Sequence, residues 1–177
     1  MRRPIVPLAA LAGVLAVLLG IARAVAAGPQ LHDYLSDEEA TKIREAASPA
    51  DRIKLYMSFA EDRLRKFDYE LNRSAPERNR SEVLNGLLHG YEGCMDDASD
   101  EIDDARRTQS DIKDVLKLMD TRSKSFLSQL LKYSKNGRYL ADYSDTLQDA
   151  IDSTNDAISD VADAQKTMLP GVVRRKQ

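Results

Sequence analysis

Chemistry in this chain would have to start from very few side chains. The two histidines, His32 and His89, lie far apart, whereas a carboxylate-bridged metal site in a helical protein needs Glu-x-x-His on two helices with further inward-facing Glu. His89-x-x-Glu92 is single and reversed in order. No Gly-rich phosphate loop, Gly-x-Ser-x-Gly elbow or Cys-x-x-Cys pair occurs, so phosphoryl transfer, acyl transfer and dithiol exchange all lack their usual residues. The residues therefore point away from an enzyme, and they call for no cofactor and no metal.

Cys94 is the single cysteine, so no intrachain disulfide can form. It falls between Tyr91 and Ala98 on an apolar stripe, where cysteine acts as a small hydrophobe. An unpaired cysteine in an oxidising compartment is also a candidate for an intermolecular disulfide. A reactive thiol is the least expected reading, because the neighbouring Glu92, Asp96 and Asp97 would raise its pKa.

Two surfaces stand out instead. Gly86, Gly90 and Gly93 interrupt a good helix-forming stretch at a cost of roughly 1 kcal/mol each relative to Ala. They fall together on the side away from Leu84, Leu87 and Tyr91, leaving a bare face that lets another backbone come close. The approaching element is expected to be the first helix, a second copy or a partner; the plainer alternative is a loosened or bent helix.

The second surface is acidic. Asp142, Asp145, Asp149, Asp152, Asp156, Asp160 and Asp163 recur at steps of three and four, opposite Leu147, Ile151 and Val161. A similar cluster, Asp96, Asp97, Asp100, Glu101, Asp103 and Asp104, lies upstream, and basic residues concentrate in Arg63, Arg65, Lys66, Arg73, Arg78 and Arg80. Such a stripe is a solvated face with ion pairs, or it docks a basic partner or binds divalent cations loosely.

The elements that carry these residues read as helices throughout. Ser36 and Glu39 form a capping box that starts a short helix to about Ala47. Ser48 then caps a long helix with Pro49 in its first turn and Ile53, Tyr56, Ala60, Leu64, Phe67 and Leu71 on one face. A third helix is expected from about Glu77 to Arg107. A fourth, capped by Ser110, should run to the Asn136-Gly137 stop, and a fifth from about Arg138 to Met168. Ser123 and Thr154 fall within the apolar stripes of the last two and could mark a gap between helices, or bond back to their own helix. Long helices with one apolar stripe bury it against one another. The expected fold is therefore all-α: an elongated antiparallel four-helix bundle with a short extra N-terminal helix.

Upstream, Arg2 and Arg3 precede the uncharged run Leu8 to Ile21 and the small residues Ala24, Val25, Ala26 and Ala27, the order of a secretory signal peptide. Cleavage after Ala26 or Ala27 fits; an uncleaved anchor is the rival reading, and the only route by which this chain would engage a membrane. The expected organisation is a signal peptide at 1–27, a lead-in at 28–35, a bundle domain at 36–169 and a basic tail at 170–177. Losing residues 1–27 removes three of the 26 basic residues and none of the 29 acidic ones, moving the net charge from −3 to about −6. An acidic chain without a basic face is a poor nucleic-acid binder. About 150 remaining residues suit one domain with one core.

The segment Leu35 to Phe67 carries Leu-Ser-x-Glu-Glu, then Ser-Pro-x-x-Arg-Ile-x-Leu-Tyr. In this it resembles an uncharacterised family of small exported all-helical bacterial proteins. That resemblance implies a bacterial origin and supplies no site residue. The functional expectation is an exported, periplasmic or extracellular, non-enzymatic protein that docks a protein partner or itself. The alternative is weak divalent-cation or small-ligand binding on the acidic faces.

Overall fold

The computed structural model describes residues 34–74 and 78–167, and the order of elements is α1 (Asp37–Glu45), α2 (Pro49–Asn72), α3 (Arg80–Thr108), α4 (Lys113–Asn136), a 3₁₀ turn (Leu140–Asp142) and α5 (Ser144–Thr167). The chain is all-α, with no strand among the described residues. The expected signal segment at 1–27, the lead-in up to residue 33 and the basic tail at 170–177 lie outside the described residues.

Local chemistry sets the helix starts. The Glu39 amide donates to Ser36 Oγ (3.3 Å) while the Ser36 amide donates to Glu39 Oε2 (2.9 Å), so the capping box is complete. Ser48 Oγ accepts from the Asp51 amide at 3.2 Å, with Pro49 in the first turn where its missing N–H costs nothing.

Two boundaries differ from expectation. Ser110 does not cap α4: its amide closes the end of α3 by donating to Ala105 O (2.9 Å), made reachable by Gln109 at φ 55°. Asp111 Oδ1 instead accepts from the Lys113 amide at 3.2 Å, and Ile112 is buried beside it as an apolar anchor. Helix α5 begins at Ser144 rather than near Arg138, so Asp142 leaves the acidic stripe. The Asp142 carbonyl accepts from Ser81 Oγ (2.9 Å) and Asn85 Nδ2 (2.7 Å), tying the connection to α3. Gly137 is required by space: a Cβ there would collide with the Tyr143 hydroxyl and the Tyr133 carbonyl.

Helix α2 packs on α3 and α4, α5 packs on α3 and α4, and α1 packs on α2. Contacts Arg52 to Glu101 and Arg63 to Gly90 make α2 and α3 antiparallel. Asn85 meets Thr146 near the start of both helices, and Tyr91 and Asp96 meet Thr154 and Ser153 further along both, so α3 and α5 run the same way. Glu61 to Arg122 and Asp68 to Tyr133 show the same for α2 and α4. Sequence neighbours are expected to oppose one another; these neighbours in space do not, because two hairpins lie side by side. One continuous core includes Leu84, Leu88, Met95, Ile102, Met119, Leu130 and Val161. Phe67 packs on Tyr133 and edge-on to Tyr143 (centroids 5.0 and 5.2 Å), and Tyr91 packs edge-on to Phe126 (5.9 Å).

Candidate functional site

The three glycines of α3 meet three different surroundings. Nothing lies within 4 Å of where a Cβ on exposed Gly86 would be. At Gly90 it would touch Arg63, 3.4 Å from Nε and 3.5 Å from Cγ. At Gly93 it would overlap the Tyr34 ring, 2.6 Å from Cδ1 and 2.8 Å from Cζ. The element that comes close is thus this chain's own segment leading into α1, together with an α2 side chain.

Polar groups hold that segment down. The Tyr34 hydroxyl donates to the Gly93 carbonyl (2.8 Å) and to Asp97 Oδ2. The Tyr34 carbonyl accepts from Arg63 Nη2 (3.2 Å). Arg63 also grips Glu39 with both terminal nitrogens, at 2.5 Å to Oε1 and 2.7 Å to Oε2, the bidentate geometry in which such pairs are strongest. Arg63 and Asp97 are both buried, at 9 % and 8 % exposure. Glu39 therefore serves twice, in the α1 capping box and as the anion facing Arg63.

The charges follow from the geometry. Hydrogen bonds from Arg63 hold the Glu39 carboxyl down to about 2, and Glu39 in turn raises the Arg63 guanidinium. Burial, then the Asp97 carboxylate, pushes the Tyr34 and Tyr56 phenols well above their ordinary value. Cys94 lies on the same face of α3, fully buried, and burial pushes its thiol up to about 12 against the opposing pull of Arg63. The Cys94 sulfur is unpaired and enclosed in the core, away from the surface at which an intermolecular disulfide would form.

Sequence reasoning set Tyr34 in the lead-in and Arg63 in a basic cluster, and missed their meeting. One signal was available: Arg63 shares a helix side with Ala60, Leu64 and Phe67, and an arginine on a buried stripe needs an anion.

The acidic stripe of α5 is a separate surface. Asp145, Asp149, Asp152 and Asp156 are exposed and Asp160 is half-buried. Among the described residues none of the five pairs with Lys or Arg; Asp145 accepts from Ser144 Oγ (3.1 Å) and Asp152 from Gln148 Nε2 (2.9 Å). Helix α5 holds six aspartates and one lysine, Lys166, which pairs with Asp163 at 2.9 Å. Ser153 Oγ donates to Asp96 Oδ1 (2.6 Å), setting one edge of the α3 acidic cluster beside the stripe. At the C-terminal end of α3 acids do meet cations: Arg52 reaches Glu101 (2.6 Å) and Asp104 (3.5 Å), and Arg106 reaches Asp103 (3.2 Å).

Exposed His89 meets Glu92 at 3.0 Å, while His32 lies outside the described residues. Among the described residues no three His, Cys, Asp or Glu side chains gather where they could hold a metal ion. Thr154 marks no gap: its hydroxyl bonds the Ala150 carbonyl (2.6 Å) and the Tyr91 hydroxyl (2.7 Å) inside the core. Ser123 Oγ is buried without a hydrogen-bond partner. At the end of the molecule where α4 gives way to α5, half-exposed Tyr139 adopts φ 59° beneath Arg80 (4.7 Å) and beside Arg138 (5.6 Å).

No helix among the described residues is long and apolar enough to cross a membrane. No protein-family profile, curated protein or solved structure matches the chain.

Proposed function

We propose that this is an exported, non-enzymatic helical protein of the bacterial envelope: a cleaved signal peptide precedes a four-helix bundle of two antiparallel hairpins that docks a basic protein partner. One observation carries the reading. Among the described residues five of the six aspartates of α5, Asp145, Asp149, Asp152, Asp156 and Asp160, pair with no Lys or Arg, although such ion pairs recur along α2, α3 and α4. Like charges at three- and four-residue spacing oppose helix formation. An unneutralised row therefore costs folding stability, and a partner that brings cations to it recovers that cost.

Charge complementarity of this kind acts mainly on association rate and is screened by salt. The test is calorimetric titration of a Lys-rich peptide into the chain from Gly28 onward, and into a variant with Asp145, Asp149, Asp152 and Asp156 all changed to Asn. The expected outcome is binding that weakens steeply with salt and drops at least about tenfold in the variant. Equal affinity for both proteins would remove the docking face. Millimolar calcium that raises the melting temperature beyond matched ionic strength would favour the cation-binding alternative. N-terminal sequencing of the protein recovered from the envelope fraction tests export, with a start at Ala27 or Gly28 expected.

A further inference from the structure

Among the described residues two arginines are buried, Arg63 and Arg80, each 9 % exposed. A guanidinium withdrawn from water calls for an anion. Arg63 has one in Glu39. No carboxylate among the described residues pairs with Arg80. The Arg73 carbonyl accepts from its Nη2 at 3.0 Å and the Tyr139 ring stacks 4.7 Å from its Cζ, but neither carries a full negative charge, and the buried Nε has no acceptor. Buried Glu70 does not answer it: one oxygen meets Arg73 at 3.3 Å and the other is itself without a partner.

The fold brings a second cation to the same place. Exposed Arg138 lies 5.6 Å from the Tyr139 ring and pairs with no acid among the described residues, so two guanidiniums share one half-exposed phenol. Hydrogen bonding from Arg80, then the charge of Arg138, holds that phenol below its ordinary value; both guanidiniums therefore face its oxygen, at the surface. The connection that carries them is fixed, because the Tyr143 hydroxyl donates to the Arg138 carbonyl (3.1 Å) while Ser81 and Asn85 hold the Asp142 carbonyl. Arg80 also opens α3, whose N-cap Asn79 makes no side-chain cap bond, so the positive end of that helix adds to the field. We propose that Arg80 and Arg138, with the Tyr139 hydroxyl beside them, form a site for a phosphate monoester. Charge count selects this ligand. Two unpaired guanidiniums are matched by a group carrying about −1.5 to −2 at pH 7, whereas a carboxylate answers only one. The planar forks of arginine suit paired phosphate oxygens, and the phenol is a further donor. A soluble phosphate ester and the headgroup of a phosphatidic acid present the same chemistry.

The experiment is calorimetric titration of glycerol 3-phosphate into the chain from Gly28 onward at constant ionic strength, with sodium acetate as the carboxylate control. The wild type should show one saturable site for the phosphate ester and none for acetate. Arg138→Ala removes an exposed side chain and should weaken binding about tenfold, the equivalent of one charge-assisted hydrogen bond. Arg80→Lys keeps the charge but loses the fork, and should weaken it by a similar factor. Lys54→Ala, which removes an exposed cation near the start of α2, should leave the affinity unchanged. Co-sedimentation with phosphatidylcholine vesicles, with and without phosphatidic acid, separates the two sources. Pelleting that requires phosphatidic acid and is weakened in Arg138→Ala supports the site with a lipid as its ligand; binding of glycerol 3-phosphate without pelleting supports it with a soluble ester.

Absence of both the saturable site and the phosphatidic acid-dependent pelleting would overturn the proposal. So would acetate binding as tightly as the phosphate ester, or a loss in Lys54→Ala equal to that in Arg138→Ala, since either would reduce the effect to general charge attraction. Should Arg80→Lys fail to fold, Arg138→Ala decides the matter alone: wild-type affinity in that variant refutes the site.

Discussion

Removing the acceptor of the buried Tyr91 to Thr154 hydrogen bond should cost more than removing its donor. Both residues are fully buried, and the 2.7 Å contact joins α3 to α5 through the core. Thr154 has one hydroxyl proton, which it donates to the Ala150 carbonyl at 2.6 Å, so Tyr91 must be the donor to Thr154. Thr154→Val keeps the shape and the branching but strands the Tyr91 hydroxyl where water cannot reach it, at a cost of about 1–3 kcal/mol. Tyr91→Phe leaves Thr154 still bonded to Ala150, and should cost about 0.5–1.5 kcal/mol. The double variant has no stranded group and should lose less than the two singles together, with a coupling of about 1–2 kcal/mol. Urea titrations followed by far-ultraviolet circular dichroism give all four corners of the cycle. Thr154→Val costing no more than Tyr91→Phe, or singles that simply add, would refute the assignment of donor and acceptor.

Two further perturbations follow from the Glu39–Arg63 pair and the glycine face. Because Glu39 is held down to about 2 from an ordinary 4.5, its contribution to stability is complete above about 4.5 and is lost as acid takes the pH down through about 2. The urea midpoint should fall across that window, and Glu39→Gln should flatten the fall; an unchanged acid slope in that variant would rule Glu39 out as its source. Gly86→Ala should stabilise the protein by roughly 0.8–1 kcal/mol, since Gly86 is helical and open to solvent with nothing in the way of a methyl. A lowered urea midpoint would show that Gly86 has a neighbour the fold does not reveal.

The features legible in the sequence are those decided within a few residues. The helical phase, the Ser36 and Ser48 caps and the stop at Asn136-Gly137 each depend on neighbours no more than six positions away. Ser110 misled because a serine before an apolar run looks like an N-cap from either direction. What decided its role was Gln109 entering the left-handed region and turning the Ser110 amide back to Ala105. The seat of Tyr34 on α3 was less legible still, since Tyr34 and Gly93 are 59 positions apart and neither is unusual alone. The glycine face announced that something comes close; only the fold identifies it as Tyr34 and Arg63.

Apolar periodicity also leaves open how far one helix may slide along its neighbour, and here the polar contacts do what the stripes do not. Shift α5 by one turn along α3, about 5.4 Å, and Leu147, Ile151 and Val161 would still find apolar cover. Tyr91 would then face Ala150 or Ile158, neither of which has a side-chain acceptor, and its hydroxyl would be buried unpaired. In the same slip Asn85 would lose Thr146, and Asp96 would lose Ser153. All three pairs form together in the observed register, and a slip of one turn breaks all three. That difference makes α3 and α5 a unique pair rather than a family of equally greasy ones, a selection that two apolar residues at 91 and 154 would not make.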